Sequence, residues 1–72
     1  MTQFDEVRCN YFDDAMNCWC VDAWFPNNDE GTVVAFINPD TYEVTYNDEQ
    51  YKRDTLVLEV IVDKLKEILK YK

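Results

Sequence analysis

A β-hairpin over residues 32–46 is the feature that most restricts how this chain folds. Two runs rich in β-branched and aromatic residues flank the sequence Asn-Pro-Asp-Thr at 38–41, which is typical of a turn. If these four residues form the loop, Ile37 pairs with Tyr42, and one face of the hairpin is wholly apolar. A slip by one residue mixes the two faces, so the pattern favours this register.

The two faces of the hairpin differ in composition. The inward face contains Val33, Ala35, Ile37, Tyr42, Val44 and Tyr46. Val34 and Phe36 fall on the opposite face, beside the polar Glu43 and Thr45. A face open to water is expected to be mainly polar, so two large apolar side chains there indicate a contact surface.

The rest of the chain extends the hairpin to an α+β fold. We predict an antiparallel meander of three to four strands with one C-terminal helix packed on one face, all in one domain. The strands are expected at about residues 4–11, 17–25, 32–37 and 42–46, and the helix at about 55–71. Alternation puts Val7, Cys9 and Tyr11 on one side of the first strand, and Trp19, Val21, Ala23 and Phe25 on the core side of the second.

Individual residues predict the turns between strands, the cap of the helix and the side of the helix that faces the core. Residues 12–15 predict a turn, and Gly31 is expected to supply a positive φ at the entry to the third strand. Asp54 or Thr55 is the predicted helix cap. The predicted core stripe of the helix is Leu58, Ile61, Val62, Leu65, Ile68 and Leu69. The β-branched residues of 55–62 leave a fifth strand open as an alternative.

Charge is distributed unevenly along the chain. The net charge is −8, and residues 1–54 have twelve acidic and three basic residues, whereas residues 55–72 have three acidic and four basic ones. Because phosphate backbones and anionic lipids are bound by Lys and Arg, we expect no direct nucleic acid binding and no membrane association. A basic protein partner fits this surface, and simple solubility is the alternative explanation.

The thiols predict a reducing, cytoplasmic setting. Cys9, Cys18 and Cys20 are odd in number, and residues 1–20 lack the pattern of a secretory leader. Zinc sites usually need four ligands, commonly from Cys-x-x-Cys turns, so three thiols without His predict no metal site. We therefore expect buried cysteines and no metal or other cofactor.

Catalysis is not expected. The sequence contains no His and no Ser, which removes imidazole bases and serine nucleophiles, and one Gly cannot build a glycine-rich phosphate loop. Paired carboxylates remain, but they fall at predicted turns and edges of a domain too small for a substantial cleft. We therefore predict a small acidic, non-catalytic protein-binding domain.

The predicted interface is the sheet face opposite the helix. Trp24, Val34 and Phe36 should form an apolar patch there, bordered by Cys20. Pairing two such faces would enlarge a small core, so the predicted partner is a second copy, in a homodimer. The alternative is that loops or the first strand cover these residues within one chain.

A resemblance adds a second functional hypothesis. Asp-Ala-Trp at 22–24, Asp-Glu-Gly at 29–31, Val-Val-Ala at 33–35 and Glu-Val-Thr-Tyr at 43–46, followed by a helix, resemble small uncharacterised acidic proteins of bacterial phages and mobile elements. The resemblance covers about residues 20–62. It implies an inhibitor of a host nucleic-acid-binding or defence protein. The acidic residues proposed for that contact are Asp13, Asp14, Asp29, Glu30, Asp40, Asp48 and Glu49.

Overall fold

The strands form one antiparallel meander with a single C-terminal helix against it, as the sequence predicts. The computed structural model describes residues 4–71, and its strands lie in the order β1-β2-β3-β4. The elements are β1 Glu6–Asp13, β2 Cys18–Trp24, β3 Thr32–Ile37, β4 Val44–Tyr46, a 3-10 helix Glu49–Arg53 and α1 Thr55–Lys70. The α+β prediction is thus confirmed, with four strands and no fifth strand among residues 4–71.

A β-bulge in β1 changes which side its second half presents. Arg8 pairs with Asp22 and Tyr11 with Cys20, so two residues of β1 face one residue of β2 between these pairs. The alternation expected from the sequence therefore breaks before Tyr11. Its side chain is 58% exposed instead of sharing the side of Val7.

β1 also runs further than predicted. Phe12 pairs with Trp19, and the two rings meet edge to face with centroids 5.2 Å apart. The turn predicted at 12–15 is displaced to 14–17, where Asp13 Oδ1 accepts hydrogen bonds from the Ala15 and Met16 amides. Phe12 is therefore a strand residue and replaces Tyr11 on the side facing the helix.

A second bulge buries Val34. Val21 pairs with Ala35 but Asp22 pairs with Val33, which leaves Val34 as the extra residue of β3. Val34 is 0% exposed and belongs to the same core cluster as residues of α1. The prediction that Val34 lies on the open face of the sheet is wrong, because the bulge breaks the alternation on which that prediction depended.

The hairpin between β3 and β4 has a longer loop than predicted. Ile37 pairs with Val44 instead of Tyr42, so the loop comprises residues 38–43. Asn38 closes it: its Oδ1 accepts from the Asp40 and Thr41 amides at 2.8 Å and 3.1 Å. A shift of two residues preserves the alternation, so the inward side of β4 is unchanged.

Helix α1 begins where the sequence predicts but faces the sheet with a different stripe. Asp54 caps it, since its side chain accepts from the amides of Leu56 and Val57. The side turned to the core consists of Val57, Val60, Ile61, Lys64, Leu65 and Ile68. The predicted stripe included Leu58, Val62 and Leu69, which are 40%, 46% and 54% exposed. The helix packs mainly on β1 and to a smaller extent on β2 and β3.

Candidate protein-binding surface

The sheet face opposite α1, called the outer face below, is organised around one cross-strand row. Tyr11 pairs with Cys20, Cys20 with Phe36, and Phe36 with Thr45, so these four residues span all four strands. Neighbouring strands lie about 4.8 Å apart, which places the Tyr11 and Phe36 backbones about 10 Å apart. Their rings therefore flank a shallow apolar strip.

Cys20 forms the floor of this strip. It is 5% exposed, and burial raises the pKa of its thiol, helped by the negative charges of Asp13 and Asp22. A thiol that resists ionisation is an apolar group and a poor nucleophile. The sequence predicted Cys20 at the border of the interface, and the structure places it between Tyr11 and Phe36 in the cross-strand row.

The other two thiols lie in different surroundings, since Cys9 is buried and Cys18 is only partly buried. Cys9 lies in the core, and burial raises its pKa to about 11. The Cys18 thiol donates to the Met16 carbonyl at 3.3 Å. All three cysteines are free thiols, and residues 4–71 contain no group of acidic, Cys or His side chains placed to hold a metal ion.

Trp24 lies on the outer face but away from the row. The Arg8 guanidinium lies 5.5 Å from the centroid of its ring and also donates to Glu6 at 2.7 Å. Trp24 is four residues beyond Cys20 along β2, about 13 Å away at the usual rise. The sheet thus does not bring together Trp24 and Phe36, which the sequence put in one patch.

Gly31 makes room for the Trp24 ring and does not supply the positive φ that the sequence predicted. A Cβ at position 31 would lie 2.8 Å from both Cε2 and Cζ2 of Trp24, so only glycine permits this approach. Gly31 has no positive φ, contrary to the prediction, and Asn27 adopts φ 62 in the preceding loop. Asparagine is among the residues that tolerate this region best.

Asp22 is the unusual polar group of the outer face. It lies between Arg8 and Val33 in the sheet, is only partly exposed, and burial raises the pKa of its carboxyl. None of the three ion pairs within residues 4–71 involves Asp22. Its charge is therefore available to a cation supplied from outside.

The seven acidic candidates divide between the two ends of the sheet. In a meander the β1–β2 and β3–β4 connections share one end, and the β2–β3 connection and the exit from β4 share the other. The first end has Asp13, Asp14 and Asp40, and the second has Asp29, Glu30, Asp48 and Glu49. At the first end, Asn17 Nδ2 donates to Asp40 at 3.0 Å and ties the two connections together. The seven carboxylates therefore do not form one continuous surface.

Several of these acids have structural roles. Asp13 caps its turn, Asp48 accepts from the Gln50 amide at 3.1 Å, and Glu49 pairs with Lys52 at 3.7 Å. The side chains of three others, Asp14, Asp29 and Glu30, have no hydrogen bond or ion pair with another described residue. Those three are the carboxylates most open to a partner.

Sequence reasoning missed Tyr11, the most exposed aromatic residue of the outer face. Regular alternation placed it on the same side of the first strand as Val7 and Cys9, and no turn residue marks the bulge that moves it. Phe36 was correctly predicted to face outward. It lies after the bulge at Val34, where the residues of β3 alternate regularly.

Comparison with known proteins gives no relative: no protein family, curated protein or solved structure matches this chain. The resemblance to phage and mobile-element proteins thus stays a prediction. Within residues 4–71, no helix has the length and apolarity needed to cross a bilayer.

Proposed function

We propose that this chain is a small acidic, non-catalytic protein-binding domain and that the outer face of its sheet is the contact surface. The observation that supports this most is the row in which Tyr11, 58% exposed, and the partly exposed Phe36 flank the buried Cys20. Aromatic side chains over an apolar floor are typical of the centres of protein interfaces. The partly buried Asp22 beside them adds a specific polar contact.

The charge of the outer face favours a basic partner. Its acidic groups Glu6, Asp13 and Asp22 outnumber its one base, Arg8, which is already paired with Glu6. A second copy in this position would bring like charges together. We therefore infer an apolar surface rimmed by Lys or Arg as the partner, with the sheet-to-sheet homodimer expected from the sequence as the competing occupant.

The side chains also support a non-catalytic role and a reducing compartment. A chain without His or Ser, whose buried thiols resist ionisation, supports binding over catalysis. Three free cysteines support a reducing compartment, which we take to be the cytoplasm.

Photocrosslinking in the source cells tests the proposal. Benzoylphenylalanine replaces Tyr11 in one version and Tyr71, which is 80% exposed at the end of α1, in a matched control. We expect a discrete adduct with a different, basic protein from position 11 and not from position 71. An adduct with a second copy would replace the proposal by the homodimer, and equal labelling from both positions would refute the outer face as a specific site.

A second candidate is inhibition of a host nucleic-acid-binding or defence protein through the acidic ends. It is favoured by Asp14, Asp29 and Glu30, which have no described partner, and by the excess of nine negative charges in residues 1–54. Neutralising Asp29 and Glu30 as Asn and Gln should abolish inhibition of such a protein while Tyr11→Ser leaves it intact. The reverse pattern would assign inhibition to the outer face.

A further inference from the structure

Helix α1 has a second apolar stripe that the fold leaves open. Leu58, Val62 and Leu69 are 40%, 46% and 54% exposed, and the partly buried Leu65 connects them. We call these four residues the α1 ridge. Leu58, Val62 and Leu69 were assigned to the core by the sequence but are left exposed by the sheet, whereas Leu65 also packs against the core.

The ridge has the spacing of a helix-pairing seam. Its members are separated by four, three and four residues, the alternation found at the a and d positions of coiled coils. Over eleven residues the ridge is about 16 Å long. The flank of α1 nearest β1 is different, because Val60, Asp63, Lys64 and Glu67 lie there beside residues 7–10. The ridge therefore faces away from that edge.

Charges beside the ridge define the orientation of a partner helix. Glu59 follows Leu58, and Lys66 follows Leu65, so the acid lies in the first half of the ridge and the base in the second. Both are exposed on the solvent side. In an antiparallel pair the same flanks of the two helices meet, which sets each Glu59 against Lys66 of the other copy. In a parallel pair Glu59 faces the opposite flank of the other helix and does not meet Lys66.

We propose that α1 pairs with α1 of a second copy in antiparallel orientation through this ridge. Leu58 then packs against Leu69 of the second copy, and Val62 against its Leu65. This contact is independent of the proposed function, since the helix and the outer face lie on opposite sides of the sheet. Both can be occupied at the same time.

The charge distribution supports a second copy as the occupant. Residues 55–72 have a net charge of +1 while residues 1–54 have −9, so the helix is where two acidic chains approach with least repulsion. A seam of this length is small compared with stable interfaces, which bury about 1,600 Å² in total. The dimer is therefore reversible and depends on concentration.

Sedimentation velocity of the full chain, from about 10 µM to about 1 mM, tests the pairing across the range of weak association. The ridge variant is Val62→Gln with Leu69→Gln. Its control is Leu56→Gln, an equally polar change at a residue that is 39% exposed and lies about 200° around the helix from Leu58. We expect the ridge variant to weaken the dimer at least about tenfold and the control to leave it unchanged.

Charge reversal tests the orientation without disturbing apolar packing. At low salt, Glu59→Lys should weaken the dimer about threefold or more, and adding Lys66→Glu in the same chain should restore it. A wild type that stays monomeric throughout, or a dimer indifferent to the ridge variant, would overturn the proposal. A dimer lost only on Phe36→Asp would assign association to the outer face, and failure of the double reversal to restore it would exclude the antiparallel arrangement.

Discussion

Asp22 of β2 lies opposite Val33 of β3, and this pairing leaves Val34 as an additional residue in the strand. Val34 enters the core with 0% exposure, whereas Val33 stays partly exposed. The bulge thus decides which of two adjacent valines stabilises the fold. It also removes one of the large side chains that the outer face would otherwise present.

Val34→Ala should lower the free energy of unfolding by about 2 kcal/mol, because two buried methyl groups are lost and a cavity remains. Val33→Ala is the matched control and should cost less than about 1 kcal/mol. Urea denaturation followed by circular dichroism measures both. Regular alternation predicts the opposite order, so a larger loss from Val33→Ala would show that the bulge is absent in solution.

Gly31→Ala should destabilise the protein by about 1–3 kcal/mol, because the added Cβ meets the Trp24 ring at 2.8 Å. The ring must move, so we also expect a shift in tryptophan fluorescence. The same substitution in a Trp24→Leu background removes the clash and should cost much less. Equal costs in both backgrounds would mean that the ring does not lie against Gly31.

Asp54→Ala should cost about 1–2 kcal/mol, since its carboxylate caps α1 through the Leu56 and Val57 amides at 2.9 Å and 3.2 Å. Asp54→Asn keeps an acceptor oxygen and should preserve most of the stability. Thermal unfolding compares the two variants. If Asn is as damaging as Ala, the cap is not the source of the stabilisation.

Asp22→Asn should raise the melting temperature at pH 7 by roughly 2 °C. Burial raises the carboxyl pKa in the folded state above its ordinary value of 3.8, so the folded protein holds the proton more tightly than the unfolded chain does. Ionised Asp22 therefore opposes folding at neutral pH, and this effect is lost as the pH falls through the raised pKa toward 3.8.

Melting curves of wild type and Asp22→Asn between pH 3 and pH 7 test whether ionised Asp22 lowers the stability. The other carboxylates are the same in both proteins, so the difference between the curves reports on Asp22. The difference should shrink as the pH falls. Asp29→Asn, at an exposed loop position, serves as the control. A variant less stable than wild type at pH 7 would mean that a favourable contact of the Asp22 carboxylate outweighs its burial.

Sequence periodicity predicted the class of fold and the face of the sheet on which most strand residues lie. Cys20 and Phe36 on one side and Ala35 and Ile37 on the other all follow regular alternation. The Asp54 cap was also predictable, because a carboxylate before a helix has a local role. These features depend on neighbours along the chain and not on tertiary packing.

The candidate site was predicted only in part, because bulges are set by contacts between strands. Tyr11 was placed on the side of Val7 and Cys9, and Val34 was placed on the outer face. Each error comes from one additional residue in a strand. The error in predicting which side of α1 faces the core has a similar cause. Leu58 and Val57 both fit an apolar stripe, and only the position of the sheet selects Val57.

The most direct test of the proposed function is the affinity for the protein captured at position 11. Isothermal titration calorimetry would compare wild type with Tyr11→Ser and with Tyr71→Ser, a matched change at an exposed tyrosine on α1. We expect Tyr11→Ser to weaken binding at least about tenfold and Tyr71→Ser to change it less than about twofold. Equal affinities for all three proteins would contradict the outer face as the binding surface.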